Sequence, residues 1–127
     1  MPKLLKLWWS LGICLVALIT ALSLLPMGGP SLDIPSSDKI NHAFAYVVMM
    51  LYFGQLVGDD LRRRLWVVAM LIVYGAAIEC LQSLTPARTA EWADLGADLV
   101  GIAIGWLLLR TVLGQTLLVI EERFATR

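Results

Sequence analysis

The sequence predicts an all-α membrane protein, a single domain over residues 1–127 built as a bundle of four transmembrane helices. Hydrophobic residues make up 59% of the 127 residues and charged residues only 16%, with a mean hydropathy of +0.78. These values lie far from those of soluble domains. The apolar residues also fall into four runs, each near the roughly 20 residues that a helix needs to cross the hydrocarbon core.

The first run has two interpretations, a retained span or a cleaved signal peptide. It covers about residues 7–25 without a charge, and Lys3 and Lys6 precede it as the basic residues of a signal peptide would. The apolar run is longer than the roughly 7–15 residues of a typical signal-peptide core. We therefore expect the first span to be retained.

The spans are separated by helix breakers or charges. The predicted spans are 7–25, 40–57, 65–84 and 93–109. The segments between them are a Gly- and Pro-rich loop at 26–37, a charged turn at 58–64 and a second turn at 85–92. After the last span, residues 111–120 are predicted to form a helix along the inner interface, followed by a polar tail at 121–127.

Positive charges are distributed unequally between the two ends of the predicted bundle. One end carries Lys3, Lys6, Arg62, Arg63, Arg64, Arg110, Arg123 and Arg127, and the other carries Lys39 and Arg88. Because positively charged loops resist translocation, we predict that both termini are cytoplasmic. The formal net charge is zero. The chain therefore lacks the excess of basic residues that would indicate a nucleic-acid partner.

Polar residues gather at the outer ends of the last three predicted spans. They are Asp38, Lys39, His42, Glu79, Gln82, Arg88, Asp94 and Asp98. Spacings of three and four residues place Asp38 and Lys39 on the helix face of His42. The same reasoning places Asp94 and Asp98 on one face of the last span. We predict that these eight residues form one outward-facing binding site.

Glu79 is the most informative member of this set. It lies within an apolar span, where a carboxylate costs at least a few kcal/mol unless it is paired or reaches water. Arg88 and Lys39 are predicted at the same outer side of the membrane as Glu79, so either cation could neutralise it. We expect the Glu79 carboxylate to lie within about 4 Å of Arg88, Lys39 or His42.

Several of the other polar residues also have purely structural interpretations. Asp38 and Asp94 could be helix-start anions that the helix dipole favours, and His42 could be a packing histidine. Cys14 and Cys80 lack a CxxC spacing and are interpreted as small apolar packing residues. Since the chain has one histidine, we expect neither a zinc set nor another metal or cofactor.

Small residues recur on the last predicted span, at Gly101 and Gly105. Small residues four positions apart allow helix backbones to approach closely. One interpretation is a homodimer through these two glycines. The interpretation that we prefer is packing of the fourth span within its own bundle.

The order and spacing of these residues resemble the VanZ-like family of small bacterial membrane proteins. The matching motifs cover about residues 38–105 and are Asp38-Lys39-x-x-His42, Glu79-x-x-Gln82, Arg88 and Asp94-x3-Asp98-x2-Gly101-x3-Gly105. Asp98 stands where the family usually has Asn. The resemblance implies a place in the bacterial cytoplasmic membrane and a link to the cell envelope or to glycopeptide susceptibility, without an established reaction.

Four functions remain open at this point. The chain could be an accessory protein that binds an anionic envelope or lipid-linked precursor through Lys39, Arg88 and His42. It could be a membrane enzyme, with Glu79 and His42 as candidate base and acid on a lipid-linked substrate. The carboxylates and His42 could bind a divalent metal. The polar set could also serve only to hold the helices together.

The charge asymmetry predicts the topology directly. A reporter that is active only outside the cytoplasm should be silent when fused after Arg127 and active when inserted within residues 28–36. The reverse pattern of activity would contradict the predicted orientation.

Overall fold

The computed structural model describes residues 3–24, 37–84 and 92–126, and this part of the chain is helical and contains no strand. The helices are α1 (Leu5–Leu24), α2 (Ser37–Leu56), α3 (Leu61–Ser83), α4 (Trp92–Leu108), a short 3-10 helix (Val112–Gln115) and α5 (Thr116–Ala125). The predicted all-α class is confirmed. The predicted loop at 26–36 and most of the turn at 85–92 lie outside the described residues.

Two of the described helices are long and apolar enough to cross a membrane by themselves. They are α1 and α3, with mean hydropathies of 2.1 and 1.8. A third span results if α4 is counted together with the helices that follow it, although the chain bends by 78° between them. The count is therefore two or three candidate spans rather than the predicted four, because α4 has only 17 residues and α2 begins with a polar segment.

The turn between α2 and α3 is shorter than the sequence predicted. Gly58 has a φ of 78°, in the left-handed region that favours glycine. The Asp60 carboxylate accepts the Arg62 backbone N–H at 2.9 Å and so caps the start of α3. Because of this cap, α3 begins at Leu61, and residues 62–64 form its first turns instead of the predicted charged turn.

The closest helix contact in the bundle joins α2 to α4. A Cβ atom on Gly101 would strike the Ala43 carbonyl oxygen, and one on Gly105 would lie 2.7 Å from the Met50 Cβ. Only glycine permits so close an approach of the two backbones. The buried core around this contact consists of Tyr46, Met49, Met50, Leu71, Ile102 and Leu109.

Gly101 and Gly105 are both buried at this contact within the chain. A homodimer through the same two glycines stays a prediction, and it would require α2 to move away from them. The interpretation of the cysteines needs correction, since Cys14 and Cys80 are free and exposed on the helix surfaces. Their side chains therefore do not contribute to the core.

Helix α5 closes the end of the bundle that carries most of the cations. Its Glu121 carboxylate accepts the backbone N–H groups of Lys3 at 2.8 Å and Leu4 at 2.7 Å, and the indole N–H of Trp8 at 2.6 Å. The carboxylate thus satisfies two backbone N–H groups that the start of α1 leaves without a partner in the helix. The predicted polar tail at 121–127 is thus wrong at Glu121, which is only 8% exposed.

Gln55 of α2 holds the start of α5 in place. Its side-chain oxygen accepts the Leu117 backbone N–H at 3.0 Å and the Thr116 hydroxyl at 3.2 Å. The residue before α5, Gln115, makes no capping hydrogen bond with its own side chain. The cap therefore comes from α2 and fixes α5 across the end of the bundle.

The glycine contact can be tested by substitution in α4. Gly101→Ala should destabilise the protein by about 1–3 kcal/mol, because the added methyl group forces the two backbones apart. Gly96→Ala is the matched control, since a Cβ on Gly96 meets nothing within 4 Å and alanine favours the helix. Thermal unfolding in detergent measures both, and equal melting temperatures would contradict the close contact.

Candidate functional site

The centre of the polar end of the bundle is a direct contact between α2 and α4. The Nδ1 atom of His42 lies 2.9 Å from the Asp98 Oδ1 atom. Asp98 is 2% exposed and the His42 side chain 9%. An ionised carboxylate can only accept a hydrogen bond, so Nδ1 carries the proton in this pair. In a neutral ring, the Nε2 atom then presents a lone pair to the rest of the site.

Asp94 lies one helical turn before Asp98 and faces the same site. Its Oδ2 atom is 4.0 Å from the His42 Nε2 atom, and its Oδ1 atom is 3.6 Å from the Lys39 Nζ atom. Asp94 is 2% exposed, whereas the Lys39 side chain is 40% exposed. The lysine thus lies at the rim of the site and the aspartate in its interior.

Helix α3 adds Glu79 to the same group. One ligand atom each of His42, Glu79 and Asp94 lie within 4.8 Å of one another. Glu79 is half-buried, as its place near the end of an apolar helix suggests. Its predicted partner Arg88 lies outside the described residues, so the expected ion pair between them stays a prediction.

The structure brings together five of the eight predicted residues. They are Lys39, His42, Glu79, Asp94 and Asp98. Gln82 is 1% exposed, and its side-chain N–H donates to the Ser23 backbone oxygen of α1 at 2.8 Å, so its place in the predicted site stays a prediction. The side chain of Asp38 and all of Arg88 lie outside the described part of the chain.

The bond from Gln82 gives α1 a role at this end that sequence reasoning missed. The last four carbonyl groups of a helix have no partner within it, and Gln82 satisfies one of them in α1. A backbone carbonyl contributes nothing to a pattern of polar side chains. The sequence therefore assigned the site to α2, α3 and α4, although α1 is also hydrogen-bonded at this end of the bundle.

Helix α3 approaches the site closely at Gly75. A Cβ atom on Gly75 would lie 2.9 Å from the Asp98 Oδ2 atom and 3.1 Å from the Tyr46 hydroxyl oxygen. Tyr46 is only 3% exposed. Glycine at this position thus lets α3 pack directly against the buried carboxylate and the tyrosine.

Two tyrosines, of which Tyr46 belongs to the buried core, lie next to the site. The rings of Tyr46 and Tyr74 lie 6.1 Å apart, and the Tyr74 hydroxyl is hydrogen-bonded to the Thr20 hydroxyl at 2.6 Å. Sequence reasoning missed this pair, although helical spacing could have found part of it. Tyr46 follows His42 by four residues, and Gly75 precedes Glu79 by four, so each lies on the same face as a predicted site residue.

Carboxylates outnumber cations among the described side chains of the site. Three acids, Glu79, Asp94 and Asp98, face the single ammonium group of Lys39 and the imidazole of His42. Buried negative charges are costly unless a cation or hydrogen-bond donors compensate for them. Among the described side chains, Asp98 therefore orients the imidazole and Lys39 is the cation that lies against Asp94.

Comparisons with known proteins cover most of the chain. The family model described as VanZ/LLP1 matches residues 8–114. An uncharacterized protein of Schizosaccharomyces pombe is 34% identical over 82 residues, which is 62% of this chain and 50% of that protein. The matched part of the chain thus spans about half the length of that curated relative. No solved structure matches the chain.

The pair of His42 and Asp98 predicts a particular imidazole tautomer. His42 is the chain's single histidine, so ¹⁵N resonances of the ring are assigned without ambiguity in untagged protein. We expect the proton on Nδ1 in the parent protein and in Asp94→Asn. Asp98→Ala should shift the ring toward the Nε2–H form, because the acceptor that holds the Nδ1 proton is gone. An unchanged tautomer in Asp98→Ala would contradict the pairing.

Proposed function

The chain belongs to the VanZ/LLP1 family, and we propose that it is a membrane accessory protein that binds an anionic envelope or lipid-linked component at the polar end of its bundle. The observation that carries the proposal is the convergence of Lys39, His42, Glu79, Asp94 and Asp98 from three otherwise apolar helices. Ionisable residues within membrane helices are costly and usually serve a function.

We include four crossings in this proposal. The turn between α2 and α3 is short, so if α3 crosses the membrane, α2 returns through it. At about 1.5 Å per residue, the 17 residues of α4 rise by about 26 Å, close to the hydrocarbon thickness. The excess of Lys and Arg at the opposite end then puts both termini in the cytoplasm and the polar site outside, in a bacterial cytoplasmic membrane.

The ligand class follows from the position of Lys39. Its ammonium group lies at the rim, where it can reach a phosphate or carboxylate on a lipid headgroup. Asp94 lies 3.6 Å from that group and restrains it, while His42 offers a second polar contact deeper in the site. The ligand thus approaches from the membrane surface and meets the lysine first.

A relative in a fungus bears on the choice among anionic ligands. A phosphate-bearing lipid is available in both bacterial and fungal membranes, whereas a peptidoglycan precursor is not available in both. This comparison favours a lipid phosphate as the shared ligand. An altered glycopeptide susceptibility is the phenotype we expect where the bound lipid carries a wall precursor.

The contact between His42 and Asp98 supports an enzyme as the second candidate. A histidine oriented by a buried carboxylate is the usual acid or base of hydrolases and transferases. On this alternative, His42 would exchange a proton with a lipid-linked substrate, and Glu79 would be the second acid or base. Turnover of a lipid phosphate by the purified protein would distinguish the enzyme from the binding protein.

Substitution at the rim tests the proposed ligand class. Lys39→Gln should weaken binding of a polyprenyl phosphate by about tenfold, because a charge-assisted contact of about 1.4 kcal/mol is lost. Native mass spectrometry in detergent measures the bound fraction. Lys6→Gln removes the same charge from the exposed start of α1 at the opposite end and should bind like the parent. Equal losses in both variants, or no loss in Lys39→Gln, would contradict a specific site.

A further inference from the structure

We propose that the polar end of the bundle binds a divalent cation between His42, Glu79 and Asp94, and that this ion receives the anionic headgroup together with Lys39. The inference rests on the proposed function, since it names how the same site would hold its ligand. The sequence left a divalent metal as one open alternative, although the expectation was that none is bound. The distances between the three side chains now favour the metal.

The spacing of the three residues fits one ion. Zn²⁺ and similar cations lie about 2.0–2.2 Å from nitrogen and oxygen ligands, so two ligands of one ion are at most about 4.4 Å apart. The His42 Nε2 atom and the Asp94 Oδ2 atom are separated by 4.0 Å, too far for a hydrogen bond. One atom of Glu79 lies within 4.8 Å of one atom of each, so small side-chain shifts complete the set.

The orientation of the imidazole is the second argument. Asp98 accepts a hydrogen bond from Nδ1 at 2.9 Å and is itself 2% exposed, so the ring is held with Nε2 facing Asp94. A carboxylate that fixes the far nitrogen of a metal-binding histidine is the common arrangement behind metal ligands. Asp98 is therefore a positioning residue, and His42, Glu79 and Asp94 are the ligands.

The alternative occupant of the gap is a proton. A doubly protonated His42 would form ion pairs with Asp98 and Asp94 and would need no metal. One feature favours the ion over the imidazolium. The distance from Nε2 to Asp94 is 4.0 Å, longer than a charge-assisted hydrogen bond.

A divalent ion would also add positive charge beside the carboxylates of Glu79, Asp94 and Asp98. A bound cation reverses the local sign, as metal ions do in many phosphate sites. Three protein ligands leave at least one coordination position open for a phosphate oxygen.

The ligand set indicates the kind of metal. One imidazole with two carboxylates suits Zn²⁺ or Mn²⁺, whereas Ca²⁺ and Mg²⁺ prefer oxygen ligands alone. The Lys39 Nζ atom lies 3.6 Å from the Asp94 Oδ1 atom, on the rim side of the cluster. The headgroup would therefore be held between the ion and the ammonium group.

The test uses the full chain in detergent after treatment with a chelator. Isothermal titration with Mn²⁺ and with Zn²⁺ should give one equivalent of bound ion, and Mn²⁺ should broaden the ¹⁵N signals of His42. Asp94→Asn and Glu79→Gln should each weaken the affinity by at least tenfold, and Asp98→Ala by about 10-fold to 100-fold, the range seen for residues behind metal ligands. Glu122→Gln, on the exposed face of α5 at the other end, should bind as the parent does.

The outcomes separate the metal from the proposed function. If no ion binds, or if Asp94→Asn and Glu79→Gln retain parental affinity, the metal inference is wrong; polyprenyl phosphate binding that still depends on Lys39 would leave the proposed function standing. If one ion binds at these residues and no phosphate lipid binds with or without it, the metal site stands and the proposed function fails. Thermal unfolding of each variant identifies any loss of binding that comes from misfolding.

Discussion

The backbone contact between α2 and α4 is the constraint on which the rest of the molecule depends. Gly101 lies against the carbonyl oxygen of Ala43, and a side chain on either helix would change the distance and rotation between them. His42 precedes Ala43 directly, and Asp98 lies three residues before Gly101. The close contact therefore places the imidazole opposite the aspartate, and the 2.9 Å hydrogen bond follows from it. The polar site is thus positioned by packing rather than by attraction between its charges.

The helices divide the work of entering a membrane and carrying a site. In α1 only 6% of the residues in the apolar window are buried, and in α3 22%, so these two helices present most of their apolar surface outward. Helices α2 and α4 lie against each other and carry His42, Asp94 and Asp98. Length and apolarity therefore identify α1 and α3 as candidate spans and not the pair that holds His42 and Asp98. The same residues that suggest a function lower the membrane signal of their helices.

Side-chain periodicity predicted the fold class, the order of the helices and most of the polar cluster, because glycines and carboxylates on one helix face are visible in the sequence. It failed where backbone groups act as partners. Glu121 was assigned to a polar tail because its hydrogen-bond donors, the N–H groups at the start of α1, have no sequence signature. The bond from Gln82 to a carbonyl of α1 has no sequence signature either. Both polar side chains pair with helix ends that are far away in the chain.

Glu121 and Asp98 are buried carboxylates in different surroundings. Glu121 receives three N–H donors, which is enough to hold a buried charge without any ligand. Asp98 contacts only the His42 ring among the described hydrogen bonds. The asparagine usual at this position in the resembled family could accept the same Nδ1 proton through its amide oxygen, so orientation of the imidazole does not require an acid. If the proposed metal ion binds at Nε2, the extra negative charge of Asp98 should make this chain hold it more tightly than relatives with asparagine.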